Sequence, residues 1–143
     1  MNTNSEKIMI FGTFDGVHEG HLNMFKQARK LSKNPFLIVS IARDQNVLKI
    51  KNKLPYNNEK QRANLVKKTK LADRVVLGSL KNHLEHIVKE SPDIIGLGYD
   101  QIHYTENLKK DLKSLGLIPK ILRLKPYKET IYKNSLLNKN KKA

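Results

Sequence analysis

Ile8, Met9, Ile10 and Phe11 form an unbroken apolar run, and after a glycine-bearing gap Leu22, Phe25, Ala28 and Leu31 recur at roughly helical spacing. The run reads as a short buried strand and the recurrence as one face of a helix, so the residues between them form a strand-to-helix turn. A second apolar run, 35–41, follows a loop and has the pattern of a strand covered on both faces, completing a β-α-β unit. Residues 43–58 are polar, basic and broken by Pro55, which predicts a loop, with Asn57 or Asn58 capping a helix that reaches about Thr69. Beyond it the pattern predicts a strand over 73–78 and a short helix marked by Leu84, Ile87 and Val88 and ended by Pro92. A strand over 93–98, a helix from about Thr105 to Leu115 stopped by Gly116, a strand over 120–124 and a short helix beginning near Asn134 complete the chain.

Strands alternating with helices at this pace predict an α/β fold: a doubly wound, five-stranded, mostly parallel sheet with helices on both faces and right-handed crossovers. In such sheets ligands gather at the carboxyl ends of the strands beside the topological switch point. The opening turn, the loop after Ile41 and the loop after Leu97 would all emerge there. A chain of 143 residues fits one domain, 1–137, with 138–143 as a basic flexible tail. The apolar runs are far shorter than a membrane span and the start carries no hydrophobic signal region, so no membrane partner and a cytoplasmic location are expected. The absence of cysteine removes disulfides, thiolate metal sites and cysteine nucleophiles.

A formal net charge of +15 invites a nucleic-acid partner, because clustered cations release counterions from phosphate backbones. The charge is dispersed, however, and lacks interleaved aromatics, and the excess of lysine over arginine with plentiful asparagine and isoleucine is a mixture that AT-rich coding would also produce. Nucleic acid is therefore not the expected partner.

The turn narrows the chemistry. Gly12, Gly16 and Gly20 are spaced by fours, which does not fit the dinucleotide fingerprint, and no lysine-serine/threonine phosphate loop is present. His18 and His21 have neither a cysteine nor a third histidine nearby, so no metal ligands are assigned. What remains is an anion site: unpaired amides at a helix start beside two imidazoles, placed to donate hydrogen bonds to nucleotide phosphates as charge builds during transfer. Two imidazoles in a glycine-bearing turn would also make a poor core, since each polar nitrogen needs a partner if buried. Other residues have plainer readings: Asp15 as a fastener of the turn, Phe14 as core filler, Asp44 as a cap of the polar loop, and His83 and His86 as solvated residues of a surface helix. His103 falls in a loop near the site, and Arg62 fits either a salt bridge or a reach toward it.

Gly12-Thr13-Phe14-Asp15 followed by His18-Glu19-Gly20-His21 resembles the paired signature of the cytidylyltransferase-like nucleotidyltransferases, whose second half is the HxGH pattern. The resemblance runs from about Lys7 to Leu137. Val39-Ser40-Ile41-Ala42-Arg43-Asp44, Asn58-Glu59-Lys60-Gln61-Arg62, the run 76–82, the run 92–101 and Leu124-Lys125-Pro126-Tyr127-Lys128 are together similar to the archaeal-type FAD synthases, which transfer AMP from ATP to FMN. The resemblance implies a Rossmann-like fold of the HxGH type, with His18 and His21 as catalytic residues. Gly12, Thr13, Phe14, His18, Glu19, Gly20, His21, Asp100 and Tyr127 would bind the nucleotide. Lys49, Lys51 and Ser135, the last in a turn opening the final helix, would contact phosphate. It further implies Mg2+ carried with the triphosphate, and homodimers are common among such relatives. Asn134 stands where the family has serine, and Glu129-Thr130-Ile131-Tyr132 replaces a cysteine-containing stretch. The alternatives are a CTP:glycerol-3-phosphate cytidylyltransferase or, from a different class, a non-catalytic basic module holding a nucleotide or RNA.

Overall fold

The computed structural model of the chain describes residues 5–98 and 105–126. Along the chain lie β1 (Glu6–Gly12), α1 (Glu19–Arg29), β2 (Pro35–Ile41), α2 (Asp44–Lys51), α3 (Glu59–Lys68), β3 (Arg74–Leu77), α4 (His83–Glu90), β4 (Ile94–Leu97), α5 (Thr105–Ser114) and β5 (Lys120–Arg123). The strands form one five-stranded sheet in the order β3-β2-β1-β4-β5. Every pairing among the described residues is parallel, so the expected five-stranded sheet is present. β1 is central, and the chain leaves it first toward β2 and later returns to its other side with β4; the switch point therefore lies at the carboxyl end of β1.

Alternation along the strands builds two cores. Ile8, Ile10, Leu37, Val39 and Ile41 face α1 and α3, where Phe25, Ala28, Ala63 and Val66 are buried against them. Met9, Phe11, Ile38, Ile95 and Leu97 face the other way, onto Ile87 of α4 and Leu108 and Leu112 of α5. A side chain such as the fully buried Phe25 stabilises the fold by about 1.5–3 kcal/mol through its removal from water. Two aspartates extend the ladders at the amino ends of the strands by the same device: Asp73 Oδ2 accepts from Leu37 N, and Asp93 Oδ2 accepts from Lys7 N, each at 2.8 Å.

The predicted boundaries hold within a few residues, including Asn58 as cap of α3 and Gly116, with φ of +86°, just beyond the end of α5. The exception is α2, which occupies the first half of the stretch expected to be a loop. It buries little besides Val47, so hydrophobic periodicity could not reveal it. Reciprocal bonds hold its start instead: Asp44 N donates to Glu59 Oε1 at 3.0 Å and Glu59 N donates to Asp44 Oδ2 at 3.2 Å. Asn52, in the left-handed region at φ of 56°, ends it. The expected helix near Asn134, together with Asp100, His103, Tyr127 and Ser135, lies outside the described residues.

Candidate active site

The turn after β1 is shaped by one ring. Phe14 has φ of 52°, a left-handed conformation uncommon for a bulky residue, and its ring folds back over Gly12. A β-carbon at residue 12 would lie 2.6 Å from Phe14 Cζ. Gly12 is therefore required by the fold, because Phe14 fills the space beside its backbone. The ring itself is 4% exposed and packs against Phe25 and edge-on against His21, with centroids 5.4 and 5.2 Å apart. Phe14 thus offers a ligand its backbone.

His18 is the N-cap of α1, a position more often held by serine, threonine, aspartate or asparagine. Its Nδ1 accepts from Gly20 N at 3.0 Å, and His21 Nδ1 accepts from His18 N at 3.3 Å, so the two imidazoles close a capping box on themselves. An accepting Nδ1 means that Nε2 carries the proton in each neutral ring. The rings stack with centroids 3.9 Å apart. Burial pushes both imidazoles toward the neutral form, and for His21 burial and then the neighbouring His18 bring the pKa down to about 4. At neutral pH the turn therefore holds two uncharged rings with fixed tautomers beside the positive end of a helix.

A buried guanidinium fixes the turn from below. Arg62 on α3 is 0% exposed, and donates to Thr13 O at 2.8 Å, Asn57 O at 3.0 Å and Asp44 Oδ1 at 2.7 Å. Both readings offered by the sequence hold: it forms a salt bridge and it reaches the turn. Its signal was register, since Arg62 stands four residues before the buried Val66 and directly before the buried Ala63. Asp15 fastens as expected, though to a distant segment: it accepts from Tyr56 N at 2.6 Å and from Asn57 N and Nδ2 at 2.8 and 3.0 Å. Partial burial opposes its ionisation. The bonds from Asn57 and Tyr56, helped by the charge of Arg62, outweigh that and hold the carboxyl below its ordinary range.

The remaining expected contacts divide. Thr13, Glu19 and Gly20 lie in the turn or the first turn of α1, whereas Lys49 and Lys51 are exposed in the last turn of α2. His83 and His86 are half-buried rather than fully solvated. On the opposite face of the sheet, His83 packs edge-on against Phe11 at 5.1 Å and His86 Nε2 lies 2.8 Å from the buried Ser40 Oγ. The surface reading failed because β2 presents a hydroxyl to that face, giving an imidazole a partner at the helix–sheet boundary.

Among the described residues no group of three histidine, cysteine or acidic side chains could hold a metal ion. Both Asp15 oxygens are engaged by N–H donors. This donor set does not build a resident metal cage, and it is compatible with a cation held chiefly by phosphate oxygens and water. No helix among the described residues is long and apolar enough to cross a membrane.

Comparison with known proteins places this geometry among relatives. The cytidylyltransferase-like family profile matches residues 9–135. The chain is 43% identical over 119 residues to an FAD synthase of Korarchaeum cryptofilum, spanning 82% of this chain and 80% of the relative. It is 34% identical over 133 residues to an FAD synthase of Thermoplasma acidophilum, spanning 93% and 92%. Among solved structures, one described as a lipopolysaccharide core biosynthesis protein from Thermoplasma volcanium superposes with a TM-score of 0.79 at 34% identity, covering 85% of this chain and 98% of the other. A pantoate-β-alanine ligase from Francisella tularensis superposes with a TM-score of 0.58 at 16% identity over 98% of this chain and 67% of the other, a likeness of fold alone.

Proposed function

Because the chain belongs to the cytidylyltransferase-like family and, within it, to the FAD synthases, we infer that it transfers AMP from ATP to FMN, forming FAD and releasing pyrophosphate. An oxygen of the FMN phosphate forms a bond to the α-phosphorus of ATP. The bond from that phosphorus to the α,β-bridging oxygen breaks, and its electron pair leaves with pyrophosphate. The attacking phosphate is already ionised at neutral pH, so no general base is needed, and catalysis consists of positioning and charge stabilisation.

The observation that carries this reading is the self-capping pair His18 and His21, whose accepting Nδ1 atoms make each Nε2 a donor. We assign these Nε2–H groups, with the amides at the start of α1, to the α- and β-phosphates, where negative charge grows as pyrophosphate departs. Neutral rings suit this role, because they donate while remaining compatible with their half-buried setting. Gly12, Thr13 and Phe14 line the turn through their backbone, Glu19 and Gly20 complete it, and Lys49 and Lys51 extend along α2 as further phosphate contacts. Asp100, Tyr127 and Ser135 keep their family roles as nucleotide and phosphate contacts. Mg2+ would enter with ATP and neutralise and orient the triphosphate, consistent with the lack of a three-ligand group among the described residues. The expected setting is the cytoplasm.

The test is pyrophosphate release and FAD formation with FMN and ATP, run beside glycerol 3-phosphate and CTP. Turnover of the first pair alone is expected. Turnover of the second pair alone would replace both substrates, and a folded protein inactive on both would overturn the enzymatic reading.

A further inference from the structure

An adenylyltransferase acting on a flavin must hold a planar, largely apolar ring system as well as two sets of phosphates. The turn at His18–His21 accounts for phosphates only. The described residues on this side of the fold offer a second chemistry in the stretch that runs from the second half of α2 to the start of α3, where Leu48, Ile50, Leu54 and Tyr56 are 42, 81, 57 and 95% exposed and Lys49, Lys51 and Lys53 stand among them. Single exposed apolar residues are ordinary. Two features set Tyr56 apart.

First, it is the most exposed large hydrophobic among the described residues and yet stands on fixed backbone. Its own N–H and that of Asn57 are both bound by Asp15, and Asn57 O is bound by Arg62, the residue that also holds Thr13 O. The tyrosine is therefore tied through two side chains to the loop that would receive the α-phosphate, at both ends of that loop's first half. Second, the segment bearing it is anchored again at its start by Asp44, also through Arg62. An aromatic side chain on fixed backbone has only two torsions of its own to order, so it contributes stacking area at low conformational cost. The neighbouring ammonium groups complement a phosphate-bearing ligand.

We propose that Tyr56 is a specificity-determining residue on the acceptor side, the one against which the flavin ring packs while the FMN phosphate meets the α-phosphate at the turn; this rests on the chain being an FMN adenylyltransferase. Asp15 and Arg62 act through it as positioning residues. They hold acceptor segment and nucleotide turn at one spacing.

The experiment uses the full chain and compares Tyr56→Ala and Tyr56→Phe with the native protein. FMN is titrated in the presence of a non-cleavable α,β-methylene analogue of ATP, and binding is read by quenching of flavin fluorescence, without turnover. Loss of the ring in Tyr56→Ala is expected to weaken FMN binding by about tenfold to a hundredfold, as for other lost aromatic stacking contacts. It should abolish most of the quenching and raise the KM for FMN while leaving the KM for ATP within about twofold. Tyr56→Phe should bind FMN nearly as the native chain does. Unchanged FMN affinity in Tyr56→Ala, or equal weakening toward FMN and ATP, would overturn the assignment. A change in sedimentation mass with FMN affinity intact would overturn it too, in favour of contact with a second copy. If the native protein neither binds FMN nor forms FAD, the functional reading falls and takes this assignment with it. If it forms FAD and Tyr56→Ala keeps its affinity, the assignment falls alone.

Discussion

The two imidazoles of the turn serve as helix cap and as donor pair at once, and substitutions can separate those duties. His18→Asn retains a capping side chain but loses the Nε2 donor, whereas His18→Ala loses both. Loss of the cap should cost about 1 kcal/mol in His18→Ala and much less in His18→Asn. Both variants, and His21→Ala, should lose activity by about a hundredfold to a thousandfold each, as when one donor to a developing charge is removed. Turnover and urea unfolding measured on the same preparations check this, and near-native rates in His18→Asn would remove the histidine from catalysis. The spacing of these residues was legible in the sequence because glycines, imidazoles and the strand–helix transition coincide there. The ring of Phe14 was less so: nothing in the sequence tells that it turns back onto Gly12, since that depends on a positive φ that local pattern does not encode for phenylalanine.

At the scale of elements, α2, α3 and the turn are assembled around Arg62. Replacing it by methionine keeps much of the volume but frees Thr13 O and Asn57 O and leaves Asp44 with the Glu59 amide but no cation. The expected loss is about 2 kcal/mol, chiefly from the carbonyls left unpaired, since Asp44 itself is partly exposed to water. Arg62→Lys should recover part of the stability while lacking the planar fork that serves three acceptors, and it should still show a raised KM for ATP. Denaturant midpoints and steady-state kinetics test this; a methionine variant as stable as the native protein would show that the clamp is dispensable. The same cluster explains what the sequence concealed. Strands and amphipathic helices could be read from apolar periodicity, but α2 is held by carboxylate–amide bonds to Glu59 that leave no periodic trace. His86 was misread for a related reason, because its partner Ser40 comes from a strand forty-six residues away.

For the whole molecule, the half-buried histidines make stability depend on pH. His18, His21, His83 and His86 all have pKa values lowered by burial, so between their folded values and the ordinary 6.5 the unfolded chain binds more protons than the folded one. Stability conferred by their neutral forms is complete above pH 6.5 and declines as pH falls; for His21 the decline ends near pH 4 and amounts to about 3 kcal/mol at most. Asp15, shifted down among carboxylates, adds to the loss at still lower pH. Thermal midpoints at constant ionic strength should drop between pH 6.5 and 4.5, and His21→Ala should flatten that slope. An unchanged slope in the variant would assign it to general repulsion within a chain of net charge +15.

The strand order carries one more consequence, for the birth of the protein. Of the five described strands β1 is made first, yet one of its two neighbours is β4, at Ile94–Leu97. Until that stretch has been synthesised the first strand has an open edge and the switch-point cleft lacks a wall. A nascent chain therefore carries the His18–His21 signature long before it has a pocket, and must shield a sticky, half-paired strand until residues 94–97 have been made.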